Sequence, residues 1–204
     1  MNDQSGQPHG IITDFDESLV VVRFNRPATR NSLSSATLTE LDELLSTTIE
    51  RSDLTSIIFT GTDDVFASGA DLREMAQLNS ASARIFSERG QRIFQRIASA
   101  PQLTIAAING YCMGGALDLA LACDVRVASA AAIFAHPGAR LGIITGWGGT
   151  QRLPNLIGRA RAAELFFTAR RFDGKEALQI GLVEALGDPV IALALKVART
   201  RGKS

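Results

Sequence analysis

Four short apolar, β-rich runs most limit what this chain can fold into: Leu19–Phe24 (LVVVRF), Ser56–Thr60 (SIIFT), Leu103–Ile108 (LTIAAI) and Val125–Ala128 (VRVA). Each has the length and composition of a buried strand. Helical patterns lie between them. Thr37-Leu38-Thr39-Glu40 offers a capping box ahead of Leu41, Leu44, Leu45 and Ile49 on one helical face. Residues 82–99 predict a second helix, with Ile85, Phe86, Ile93, Phe94 and Ile97 inward and Pro101 closing it. From Arg159 onward the chain reads as helical again, with Ala-rich stretches around Glu164 and Ile191. Strands separated by helices predict an α/β fold with mainly parallel pairing. The 204 residues suit one domain, and neither a linker nor a low-complexity tract interrupts them.

Residues 108–154 carry the chemistry. Gly114 and Gly115 stand directly before a run that reads as a buried helix, in which Ala116, Leu117, Leu119, Ala120 and Leu121 surround a single carboxylate, Asp118. A helix N-terminus presents unpaired N–H groups and the positive end of a dipole, which suits a negatively charged oxygen. Glycine there lets a ligand come close to the backbone. An acid inside an apolar helix costs free energy unless it is paired or used. Asp118 is therefore either catalytic, with a pKa raised toward neutrality by its surroundings, or a structural acid held by a buried arginine or by backbone groups.

These residues resemble the crotonase superfamily, the enoyl-CoA hydratase/isomerase family. Asn25-Arg26-Pro27, Asn31, Gly61 and Phe66-Ala67-Ser68-Gly69-Ala70-Asp71-Leu72 look like its earlier signatures. Gly148-Gly149-Thr150-Gln151-Arg152-Leu153-Pro154 and Gly181-Leu182-Val183 continue the match in order, over roughly residues 10 to 195. The resemblance implies a repeated ββα spiral, two stacked, mainly parallel sheets wrapped by helices, over residues 11–187. Residues 1–10 are then a polar N-terminal tail, and residues 188–204 the short start of a truncated C-terminal helical region. It further implies an acyl-CoA thioester as substrate, CoA as part of that substrate rather than a prosthetic group, and a homotrimer or hexamer.

By motif position, the backbone N–H groups of Ser68 and Gly115 form an oxyanion hole for the thioester enolate, with Asp118 where hydratases carry the first of two glutamates. Gly138, in Ala135-His136-Pro137-Gly138, stands where the second would be, and glycine cannot move protons. His136 or a water is left to substitute. Weak hydration is the expectation, with turnover raised by Gly138→Glu. For CoA, the resemblance points to Arg26, Ala28 and Arg30 near the nucleotide end and to Ser68, Gly69, Ala70 and Asp71 near the adenine and pantetheine, with Leu72 and Gly115 in the same binding set. A non-catalytic acyl-CoA binder, or another crotonase reaction such as decarboxylation or thioester hydrolysis, stays open.

Other classes fit poorly. Lys+Arg and Asp+Glu number 21 each, so no net charge favours nucleic acid or an anionic membrane. Cys112 and Cys123, with two histidines in the chain, read as reduced core thiols of a cytoplasmic protein, not as a metal site. Residues 1–10 have neither a basic nor an apolar signal-peptide region, and no apolar run reaches membrane-spanning length. Ser68 lacks the glycine-framed elbow of a hydrolase nucleophile. The segment from Gly146 to Thr150 lacks phosphate-loop spacing, and reads as a helix start lining the acyl pocket with Trp147 as apolar wall or core.

Overall fold

The four expected strands form over the residues read from the sequence and lie in one sheet. The computed structural model describes residues 10–202; the polar tail, apart from Gly10, lies outside the described residues. The first half of the chain builds β1 (Ile11–Asp16), β2 (Leu19–Phe24), α1 (Ser35–Thr48), β3 (Ser56–Thr60), β4 (Val65–Ala67), α2 (Leu72–Met75) and α3 (Ser80–Ala98). Next come β5 (Leu103–Ile108), β6 (Tyr111–Met113), α4 (Gly115–Ala122), β7 (Val125–Ala128), β8 (Ile133–Ala135) and α5 (Gly138–Leu141). The remainder forms α6 (Gly149–Ile157), α7 (Arg159–Thr168), β9 (Phe172–Asp173), α8 (Gly174–Gln179), β10 (Ala185–Leu186) and α9 (Val190–Arg201). No described helix is long and apolar enough to cross a membrane.

One sheet has the order β1-β2-β3-β5-β7-β10, parallel except for the β1–β2 hairpin; the other has the order β4-β6-β8-β9, parallel except for β9. The larger sheet is covered on both faces, which explains why its central strands are apolar along most of their length. Val20, Val22, Phe24, Ile57, Phe59, Ala106 and Ile108 face the main core, which also takes in Phe66, Cys112 and Phe134 of the smaller sheet. Leu19, Val21, Ile58, Ile105 and Val127 face the opposite side. There α9 lays Val190, Ala194 and Ala198 on the sheet, so residues after 188 complete the second core. Cys112 and Cys123 are free thiols within the main core.

Local details differ from the expectation. Helix α1 is capped by Ser34, whose hydroxyl accepts from the Thr37 N–H at 3.2 Å. The Thr37 hydroxyl is engaged on the Ser32 carbonyl at 3.0 Å, so the helix begins earlier than the Thr37–Glu40 box predicted. Helix α3 begins at Ser80, after a reciprocal cap between Asn79 and Ser82. Its buried stripe runs through Phe86, Gly90, Ile93, Phe94 and Ile97; Ile85, expected inward, is 67% exposed because it lies about 100° around the helix from Phe86. The three-residue strands β4, β6 and β8 are too short for any periodicity to have shown them.

Candidate active site

Between α3, the β4–α2 turn, the start of α4 and α7 lies a cavity of about 620 Å³. Gly69, Ala70, Gly114 and Gly115 line one side, Phe86 and Trp147 another, and Phe166, Phe167 and His136 a third. Ser68 and Leu72 reach it too, whereas Arg26, Ala28, Arg30, Asp71 and Asp118 are not among the lining residues.

Gly69 has φ +90, and a Cβ on it would lie 2.5 Å from the Met113 carbonyl oxygen and 3.1 Å from the Gly115 nitrogen. Only glycine allows the β4–α2 turn and the turn into α4 to meet backbone on backbone in this way. The meeting decides which donors are free. The Ser68 N–H donates to the Arg30 carbonyl at 3.1 Å, so it is not available to a ligand, contrary to the assignment read from the motif. Among the described residues, no acceptor takes the N–H of Ala70 or of Gly115. Both residues line the cavity, and Gly115 opens α4, where the helix dipole adds positive potential. The geometry therefore moves the first donor two residues on, to Ala70. The motif could not show this, because Arg30 reaches Ser68 only in the folded chain.

Asp118, on α4, is fully buried. Its Oδ2 accepts from the Thr145 hydroxyl. Its Oδ1 has no hydrogen-bond partner of ordinary geometry, and lies 3.5 Å from His136 Nε2. Burial pushes the Asp118 pKa up to about 6, opposed by the Thr145 hydroxyl, the backbone N–H groups of Trp147 and Gly149, and the charge of Arg152. His136, 3% exposed, is pushed down to about 4 by burial, and neither ring nitrogen has a hydrogen-bond partner. Its ring packs on Phe166 at 5.0 Å. Thr145 and Phe166 escaped the sequence reading. Thr145 stands 27 residues from Asp118 with no motif to connect them.

Gly138 begins α5, and a Cβ there would fall 2.6 Å from the Ile143 carbonyl oxygen, because Ile143 folds back to bond the Gly138 carbonyl at 3.0 Å. A glutamate at 138 therefore has to displace that loop, and the gain in turnover expected from Gly138→Glu does not follow from the geometry. The nucleotide-end candidates are engaged elsewhere. Arg26 pairs with Glu40 at 2.5 Å; Ala28 sits in a 3-10 turn. Arg30 lies over the Tyr111 ring at 4.9 Å, with Arg171 6.0 Å from the same ring. Asp71 caps α2 and pairs with Arg73 at 3.2 Å, which holds its carboxyl below the usual range.

Comparison with known proteins finds matches along nearly the whole chain. The family described as Enoyl-CoA hydratase/isomerase matches residues 14–198. A short-chain-enoyl-CoA hydratase of Clostridium acetobutylicum is 38% identical over 182 residues, which cover 89% of this chain and 70% of that protein. Among solved structures, an enoyl-CoA hydratase from Bacillus anthracis aligns with a TM-score of 0.90 at 38% identity, covering 94% of this chain and 76% of that one. An enoyl-CoA hydratase from Thermoplasma volcanium aligns with a TM-score of 0.91 at 31% identity, covering 96% and 78%.

Proposed function

Because the chain belongs to the enoyl-CoA hydratase/isomerase family, we propose that it hydrates an enoyl-CoA thioester, holding the enolate oxygen between the N–H groups of Ala70 and Gly115. The observation that carries this is the pair of unpaired backbone donors facing one apolar cavity, with a buried carboxylate behind its wall. As water bonds to the β-carbon, the π electrons move toward the thioester and charge collects on its oxygen. Fixed donors aimed at that oxygen need no reorganisation, and one such donor is worth roughly 10²–10³ in rate. CoA is part of the substrate in this reading. The relatives that carry it are hydratases, and one of them acts on short-chain enoyl-CoA.

The test is loss of the conjugated enoyl-thioester absorbance with crotonyl-CoA, run beside Asp118→Asn. We expect slow turnover in the wild type and a further loss of about 10²-fold or more in the variant. Tight acyl-CoA binding with no turnover across a panel of enoyl thioesters would instead select the non-catalytic reading. The observation favouring that alternative is the Ile143 loop, which fills the space a side chain at 138 would need.

The same variant separates activity from stability. Asp118 has a folded pKa of about 6 against 3.8 for the free side chain, so its favourable contribution is full below about pH 4 and is lost as pH rises through 6. Above pH 6 the buried charge is a cost that asparagine lacks. Asp118→Asn is therefore expected to be more stable at pH 7.5, by on the order of 1–3 kcal/mol, and to lose that advantage by pH 4. Urea unfolding at the two pH values checks it; equal stability at pH 7.5 would show that the charge is compensated.

A further inference from the structure

We infer that the cavity selects an uncharged aliphatic acyl chain longer than crotonyl, and rejects acyl groups that end in a second carboxylate. The inference rests on the hydratase reading above and names its substrate class. Three observations carry it. None of the described residues lining the cavity is Asp, Glu, Lys or Arg. The polar side chains that do line it are engaged or out of reach. Thr145 donates to Asp118, Ser87 to the Gly146 carbonyl at 3.0 Å, and Ser68 leans on the Thr29 carbonyl at 3.5 Å. The Trp147 N–H is on the Phe86 carbonyl, and both ring nitrogens of His136 are buried. Finally, of the ten large apolar side chains exposed among the described residues, five line this one cavity: Leu72, Leu141, Ile143, Ile144 and Phe167. Its apolar lining therefore continues outward to the surface, past the space around the Ala70 and Gly115 donors.

Volume and charge set the two halves of this preference. At ~30 Å³ for a group the size of water, 620 Å³ holds about 20 such groups. A crotonyl group fills about a quarter of that, which leaves room for a chain of about eight to ten carbons beside the thiol end of CoA. Each methylene moved from water onto apolar walls is worth about fourfold in affinity. A second carboxylate gains nothing there. It would give up water with no cationic side chain on the walls to receive it. Asp118, buried behind the wall, adds a like charge once it ionises above about pH 6. Arg152, whose charge reaches Asp118, is not a lining residue; it donates to the Trp147 carbonyl at 3.2 Å and to Gln95 Oε1 at 3.3 Å.

The test measures hydration of crotonyl-, hex-2-enoyl-, dec-2-enoyl- and glutaconyl-CoA, and binding of the saturated counterparts butyryl-, hexanoyl-, decanoyl- and glutaryl-CoA. From crotonyl to dec-2-enoyl, kcat/KM should rise at least about tenfold, and affinity should rise in parallel. Glutaconyl-CoA should fall at least about 10²-fold below hex-2-enoyl-CoA, and glutaryl-CoA should bind more weakly than butyryl-CoA. Ile144→Asp, at a loop position 68% exposed, should weaken decanoyl-CoA at least about tenfold and butyryl-CoA less than about threefold. If that variant does not fold, Phe167→Asp, at a position 82% exposed, takes its place. A series that is flat or falls with chain length in either assay overturns the inference, as does glutaryl-CoA bound as tightly as butyryl-CoA. So does a variant that loses both chain lengths equally or loses neither, since the long chain then lies elsewhere. Binding ranked as expected with no hydration of any thioester upholds the ligand class and overturns the hydratase reading alone. Wild-type protein that binds none of these thioesters overturns both.

Discussion

Replacing Trp147 with alanine is expected to lower the stability of the fold by about 3–5 kcal/mol. The indole is buried, and it fills a slot that two glycines leave open. A Cβ on Gly90 of α3 would come within 2.2 Å of its ring atoms, and one on Gly115 of α4 within 2.4 Å. Phe86 and Phe94 meet it at 5.2 and 5.5 Å, the second edge to face. The Nε1–H donates to the Phe86 carbonyl at 3.4 Å. Truncation removes all of these contacts at once, and neither glycine supplies atoms to collapse into the gap. Because Trp147 also lines the cavity, the void should join the pocket and shift the acyl preference toward longer chains. Urea unfolding measures the first effect and a chain-length series of enoyl-CoA thioesters the second. A loss under about 1 kcal/mol would mean that α3 and α4 close the slot themselves.

Gly149→Ala is expected to reduce turnover by at least about 10²-fold and to destabilise the protein by about 1–3 kcal/mol. The added methyl would sit 2.0 Å from the buried Asp118 Oδ1 and 2.9 Å from the Thr145 methyl. Something has to move, and the atom met first is the carboxylate oxygen that faces His136 at 3.5 Å. Displacing it shifts the one carboxylate inside α4, behind the cavity wall. Gly149→Ala should therefore resemble Asp118→Asn in kcat while differing from it in stability, where one overpacks and the other removes a buried charge. Crotonyl-CoA hydration and thermal unfolding of the two variants together decide it. Wild-type turnover in Gly149→Ala would show that the position of Asp118 is unimportant to the reaction.

Much of the scaffold was legible before any coordinates. The larger sheet's four parallel central strands are predominantly apolar, and their bounds can be read directly because burial on both faces keeps polar residues few among them. The Gly114-Gly115 step and Asp118 were equally legible, being neighbours in one segment of known pattern. The capping of α1 and the outward turn of Ile85 were not. Each depends on where a helix starts to within one residue, and Ser34, Thr37 and Asn79 all offer a side chain able to cap.

The sequence by itself determined the fold class, the turn into α4 and a carboxylate inside that helix, because each is a property of residues adjacent in the chain. Tertiary structure alone decided which backbone donors stay free. Arg30 takes the Ser68 N–H and leaves those of Ala70 and Gly115. It also decided that His136 and Thr145 stand at the cavity with Asp118 behind them, and that the Ile143 loop closes the space at Gly138. Hydrogen-bond competition and excluded volume act between groups within a few ångströms in space, whatever their separation along the chain. A motif records which residues are present; only their packing settles which of their polar groups remain unpaired.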